Sequence, residues 1–237
     1  HGVAKVMVPL QFWFCRNPGL ALPLIALQYH EVKIKMTFNT VADLFLLDDD
    51  STPSDDEITN HTGTPTTKEF KLFADYIYLD TDERRRFAQV SHEYLIEQVQ
   101  EDSATNGATE KSLNFNHPVK FVSTYKSGGV GVAAGEVRLQ INGTDVGDAK
   151  LAKPHYTSAS FYYHTPFTTL DNSNSDRFLY PFCLDTSKLQ PTGSLNFSRL
   201  DSARLLSTAG SFNTDIYAVN YNILRIENGM GGLTYSN

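Results

Sequence analysis

From Ile216 to Ile226 the chain reads Ile-Tyr-Ala-Val-Asn-Tyr-Asn-Ile-Leu-Arg-Ile, apolar or aromatic at odd and even positions alike, with no Pro or Gly. Successive side chains of a strand point to opposite faces, so a run of this kind predicts a strand covered on both sides. Leu72 to Leu79 has the same character. Other segments alternate instead. Val32, Ile34, Met36 and Phe38 interleave with Glu31, Lys33, Lys35 and Thr37, and Val137, Leu139 and Ile141 interleave with Glu136, Arg138 and Gln140. Alternation predicts strands with one buried and one wet face. Asn142-Gly143 follows the second of these, and two residues that tolerate positive φ at that place predict a tight hairpin. The chain is therefore expected to be all-β.

Composition supports this. The 237 residues are 41% hydrophobic and include 15 Phe and 12 Tyr, enough for a packed core and weighted toward side chains that suit a pleated surface. Twenty Lys and Arg against 27 Asp and Glu leave a formal charge of −7. That balance lacks the clustered cations that phosphate neutralisation requires, so direct nucleic-acid binding is not expected, nor is adsorption to an anionic membrane. The longest mostly apolar stretch, Leu20 to Leu27, contains Pro23 and is far short of the roughly 20 residues of a membrane span. Cys15 and Cys183 each follow an aromatic residue and are expected to be buried free thiols rather than a disulfide framework. The chain opens at His1 without an initiator Met or a signal-like start, and so reads as the back part of something longer.

Helix signals are scarce. Asp80 with Glu83 three residues on makes a capping box, and Arg84, Arg85 and Arg86 fall toward the C-terminal end, predicting a short helix over 80–89. Residues 39–69, acidic and punctuated by Pro, are expected to form a long surface loop. A weak internal repeat is also present. Pro9 to Cys15, 30–38 and 72–79 are matched in order by Pro181 to Cys183, Leu195 to Leu206 and Ile216 to Ile226, which suggests two related β domains in tandem.

Signatures of chemistry are missing. His30, His61, His92, His117, His155 and His164 are scattered and no His-x-His occurs, so no metal site is expected. Gly128-Gly129-Val130-Gly131 lies between β segments without a helix behind it, and no nucleophile elbow, phosphate loop or dinucleotide fingerprint is found. No catalytic residue, metal or cofactor is expected. The three arginines of the helix have two readings: a solvated helix complementing its dipole, or a contact from Arg84, Arg85 or Arg86 to an acid on an adjoining domain or subunit. Of the three Asn-x-Ser/Thr triplets, Asn196 falls inside a strand, leaving Asn60 in the long loop and Asn142 in the hairpin as accessible candidate glycosylation sites.

Three long stretches carry a family resemblance. They are Asn17 to Lys33 (Asn-Pro-Gly-Leu-Ala-Leu-Pro-Leu-Ile-Ala-Leu-Gln-Tyr-His-Glu-Val-Lys), Asp75 to Gln89 followed by His92 to Gln98, and Asp215 to Asn237 with its glycine-rich end. Together the chain closely resembles the major capsid proteins of large icosahedral nucleocytoplasmic DNA viruses, the algal-virus (phycodnavirus) branch above all. The resemblance implies a tandem double jelly-roll fold, with residues 1–80 as closing strands of an incomplete first roll, 81–90 as a connector helix and 91–237 as a complete second roll. It also implies a structural protein of the virion that assembles in the host cytoplasm. Its partners would be two further copies in a homotrimeric, pseudo-hexagonal capsomer, neighbouring capsomers and minor capsid proteins, over an internal membrane into which it does not insert. Members of the family carry sugars on outward loops; the corresponding loops here, Ser123 to Gly135 and Ser207 to Thr214, are short. The rival reading is a carbohydrate-binding jelly-roll module. Its one candidate surface is Tyr156 to Phe167, with His155, Tyr162, Tyr163 and His164.

Overall fold

The computed structural model describes residues 7–37, 71–103, 109–125, 135–166, 177–209, 212 and 215–235. The capping box forms as the sequence predicts. The Asp80 carboxylate accepts from the Glu83 amide at 2.8 Å, and the Asp80 amide donates back to the Glu83 carboxylate at 3.4 Å. This starts helix α1, Thr81–Gln89, with Asp82 and Glu83 in its first turn and Arg86 in its last. The chain then turns extended at Val90 and enters the first strand, β1, His92–Asp102.

Two antiparallel sheets follow. One runs β1-β10-β3-β7, built from β1, β3 (Pro118–Tyr125), β7 (Arg177–Pro181) and β10 (Ile216–Glu227), with short β8 (Leu195–Asn196) on β3 and β11 (Met230–Leu233) on β10. The other runs β2-β9-β4-β5, built from β2 (Glu110–Ser112), β4 (Glu136–Ile141), β5 (Thr144–Asp145) and β9 (Ala203–Ser207), with β6 (Lys150–Leu151) on β4. The main strands alternate between the sheets as the chain advances: β1, β3, β7 and β10 fall in one, and β2, β4 and β9 in the other. That wrapping is the jelly roll. The Asn142-Gly143 turn joins β4 to β5 with φ of 49° and 82°, as two positive-φ residues dictate.

The core lies between the sheets. Val119, Val122 and Phe178 meet Val137, Leu139 and Leu205 across the gap, all almost without solvent contact. Each such side chain stabilises the fold by about 1.5–3 kcal/mol. Tyr156, on a wide helical stretch over Ala152–Ala159, plugs one side by stacking on Tyr180 and leaning on Phe178. Helix α2, Ser160–His164, continues from it. An ion pair ties the layers: Lys111 on β2 reaches Asp102 at the end of β1 at 2.8 Å and also donates to the Ser103 carbonyl.

Several expectations need correction. Among the described residues, Pro9 to Cys15, 30–37 and 72–79 form no strand. Short 3₁₀ turns occupy Trp13–Cys15 and Pro18–Leu20, and residues 30–37 and 71–80 join no ladder. Val32, Ile34 and Met36 are 40–53% exposed. Alternation states which side of a strand is apolar, but a strand forms only against a partner, and no described residue provides one. Residues 38–70, including Phe38 and the acidic loop, and the glycines 128–131 lie outside the described residues. The strand order of the repeat does not carry over either, because 195–206, the counterpart of 30–38, is itself broken by a 3₁₀ turn at Phe197–Arg199. Cys183 is buried, but Cys15 is exposed, because its turn faces solvent. Finally, β10 is followed by one more strand, β11, through the Asn228-Gly229 turn.

Candidate functional site

The most strongly built polar cluster sits where β1, β10 and β3 lie side by side. The β10–β3 ladder slips between Val219 and Asn220: Val219 faces Phe121, and the next residue, Asn220, faces Val119. Lys120 is the extra residue of this β-bulge. A bulge re-aims the side chain it carries, and here both Val119 and Val122 point into the core while Lys120 lies over the ring of Tyr221, its Nζ 5.4 Å from the centroid. Its ammonium donates to Glu97 Oε1 at 2.5 Å and to the Thr186 carbonyl at 2.9 Å. Glu97 is the register partner of Tyr221 across β1 and β10. Its other oxygen, Oε2, accepts from Arg16 Nη1 at 2.5 Å. Side-chain exposure falls from 32% at Arg16 to 12% at Glu97 and 1% at Lys120. Burial, followed by the Glu97 charge, pushes the Tyr221 hydroxyl up to about 12, and among the described residues that hydroxyl has no hydrogen-bond partner. Burial also raises the Cys183 thiol.

Arg16 brings the preceding chain with it. Trp13 packs on Tyr94 of β1 with ring centroids 5.6 Å apart. Further along, the Tyr29 amide donates to the Gly229 carbonyl at 2.9 Å, and the Gly231 amide donates to His30 Nδ1 at 3.1 Å. Residues 13–30 are thus held at two places, β1 and the β10–β11 turn. Beyond them Met7, Leu72, Phe73, Tyr76, Ile77 and Tyr78 are widely exposed. On β1, Leu95 and Val99, which share the Glu97 face, are exposed beside Tyr217 of β10.

Nothing comparable gathers for catalysis. Among the described residues no three His, Cys, Asp or Glu side chains form a metal-ligand group, and no helix is long and apolar enough to cross a membrane. His92 Nε2 donates to the Phe87 carbonyl, and His164 Nδ1 to the Cys183 carbonyl. A half-open depression of about 310 Å³ is lined by Arg138, Lys150, Tyr156 and Tyr180. It does not bring together the aromatics of the carbohydrate reading, since Tyr156 is buried in the core while Tyr162 and Tyr163 stand exposed on α2.

Comparison with known proteins identifies the architecture. The family described as major capsid protein N-terminus matches residues 2–80, and that described as large eukaryotic DNA virus major capsid protein matches 124–232. The major capsid protein of Paramecium bursaria Chlorella virus 1 is 33% identical over 98% of this chain and 67% of its own length. The chain belongs to the major capsid proteins of large eukaryotic DNA viruses. The major capsid protein of Pyramimonas orientalis virus is 42% identical over 99% of this capsid-family chain and 62% of its own. A subunit from the quasi-atomic structure of the PBCV-1 virus capsid superimposes with a TM-score of 0.65 at 28% identity, covering 97% of this chain and 70% of that one. This places the present fold with the double jelly-roll capsid proteins. The chain spans about two thirds of the length of these relatives. Its family is one of structural proteins of the virion, not enzymes.

In this capsid-family chain the residues singled out from sequence fare differently. Arg84, Arg85 and Arg86 are all exposed on α1. Arg84 reaches Thr81 at 3.4 Å and Arg85 lies 3.8 Å from Asp82, so within the described chain they serve their own helix. Asn142 is exposed in its hairpin, but its side-chain oxygen accepts from the Asp201 and Ser202 amides, both at 3.0 Å. Asn60 lies outside the described residues. The Arg16–Glu97–Lys120 cluster was not anticipated. Its three members are far apart in sequence, and the one local signal is a lysine inside the apolar run Pro118-Val-Lys-Phe-Val122.

Proposed function

We propose that this chain builds an icosahedral shell as part of a longer double jelly-roll subunit, with three copies associating into a pseudo-hexagonal capsomer. Residues 91–237 are the second roll, residues 1–80 would pair as closing strands of the first once the further strands of the subunit are there to receive them, and 81–90 is the connector. The observation that carries the reading is the likeness to a capsid subunit along nearly the whole chain. The physics suits the task. Two similar lobes per subunit give six lobes per trimer, hence near-hexagonal packing from three copies. The exposed apolar residues before α1 are accounted for if further strands of the same subunit cover them. Neighbouring capsomers and minor capsid proteins are the further partners. The exposed arginines Arg84, Arg85 and Arg86 are available for an acid on an adjoining subunit, and exposed Asn142 for a sugar, whose attachment at the amide nitrogen leaves the carbonyl oxygen free to keep its two bonds. The formal charge of −7 fits a shell that does not bind the genome directly and encloses an inner membrane without entering it.

Light scattering on the full-length subunit tests this. A mass of three chains with a hexagonal outline under the electron microscope is expected; a full-length protein that stays monomeric at micromolar concentration refutes it. The domain division has its own test in size-exclusion chromatography. The 237-residue chain is expected to be stickier than 91–237, and equal behaviour refutes the incomplete first roll.

A further inference from the structure

We infer that the strip formed by β1 and the β10–β11 turn is a docking surface for residues 13–30 of the same chain, and that Glu97 is the clasp that fastens them only when the sheet beneath has formed. The inference concerns how the preceding segment is seated on the roll, and it does not depend on trimer formation.

Three observations converge. First, the Glu97 carboxylate is shared, one oxygen to Lys120 of β3 and the other to Arg16 of the segment. Lys120 and Glu97 sit on strands that are not neighbours, because β10 lies between them. They meet only after β1, β10 and β3 have aligned, and Lys120 reaches across the ring of Tyr221 to do so. Second, the carboxylate is largely desolvated, at 12% exposure. An ion pair to a fully solvated Glu97 would contribute little, whereas one to a carboxylate fixed by a buried ammonium is a charge-assisted bond in a low-dielectric setting. Third, the segment is complementary to the roll on either side of the clasp. Trp13 lies on Tyr94, and the Tyr29 ring fits against Gly229, where a Cβ would stand 2.5 Å from the ring. Gly229, with φ of 81°, therefore serves both the turn and the fit.

The readouts are built in. The chain has a single tryptophan, three residues before Arg16, and the Tyr29 and Gly231 amides are bonded across the docked surfaces. In Arg16→Met, exchange of the Tyr29 and Gly231 amides should speed up about tenfold, between the values for an exposed and a charge-assisted bond. Ladder amides of β3 and β10 should keep their wild-type rates. Arg16→Lys should restore most of the protection. In urea, Trp13 should become accessible to acrylamide with, or before, the loss of the β circular-dichroism signal. Unchanged Tyr29 and Gly231 exchange in Arg16→Met overturns the clasp, as does Arg16→Lys behaving like Arg16→Met. Trp13 protection persisting after the sheet has melted overturns the dependence on the formed sheet.

Discussion

Replacing Glu97 by Gln removes the carboxylate that is bonded to Lys120, whose side chain is 1% exposed. At 2.5 Å and an effective dielectric constant near 20, the pair attracts by about 6–7 kcal/mol. Taking the two ions out of water costs several kcal/mol each, so the pair as a whole is close to balanced. The single substitution is not balanced. It leaves the ammonium hydrogen-bonded to the Thr186 carbonyl and set over the Tyr221 ring, with Asp185 acting on it only through space and the like-charged Arg16 nearby, and should cost about 3–5 kcal/mol. Lys120→Met leaves Glu97 paired with Arg16 and loses the bond to Thr186, so about 1–2 kcal/mol is expected. The double variant Glu97→Gln with Lys120→Met should recover much of the loss and lie within about 2 kcal/mol of wild type. Urea unfolding followed by circular dichroism reads this directly. With a slope of about 2 kcal/mol per molar, Glu97→Gln should lower the midpoint by roughly 2 M. A Glu97→Gln protein within about 0.5 kcal/mol of wild type, or a double variant as unstable as Glu97→Gln, refutes the account of a desolvated pair.

Other outcomes follow from particular side chains. Cys15 is exposed, whereas Cys183 is buried with its thiol pushed up chiefly by that burial, so a thiol reagent at pH 8 should titrate one cysteine quickly and the second only on unfolding; two fast thiols would contradict the burial. Burial and then Lys150 lower the His155 imidazole below the ordinary 6.5. The unfolded chain thus binds the proton first, and this group's contribution to stability falls as pH drops through 6.5; an NMR titration with His155 at 6.5 would abolish the effect, and one above 6.5 would reverse its sign. Asn142→Ala keeps a φ of 49° without the side chain that tolerates it and strands two amides, so a loss of about 1–3 kcal/mol is expected in thermal melts; a loss below about 0.5 kcal/mol would show that Asn142 does not anchor the 201–202 turn.

What could be read in the sequence depended on whether the signal was local. The helix was legible because Asp80 and Glu83 satisfy each other within one turn. So was β4 with its Asn-Gly turn, since alternation and positive φ are properties of adjacent residues. The two-faced reading of β10 holds for a reason that the pattern does not contain. Its inner face carries Ile216, Ala218 and Ile226 but also Asn220 and Asn222, which bond to Gln100 and Gln98 of β1, and its outer face at Tyr221 is covered by Lys120. The strand periodicity over 30–37 gives no strand because pairing is non-local. The charged cluster was invisible because residues 16, 97 and 120 meet only through three-strand alignment. Cys15 was misjudged because its aromatic neighbours Phe12 and Phe14 stack on each other rather than enclosing it.

The bulge at Lys120 has a consequence for insertions and deletions. Losing one residue from a central strand ordinarily moves every following side chain to the wrong face. Here Phe121 and Val119 already face the consecutive residues Val219 and Asn220, so excising Lys120 would close the β10 ladder into an unbroken one and leave the strand on both sides in register. The price falls elsewhere: the Phe182 amide would lose the Lys120 carbonyl it reaches at 2.8 Å, and Glu97 would be left to Arg16 alone. The extra residue and the buried charge are therefore one structural unit, and a deletion at this place removes the charge while sparing the β10 register.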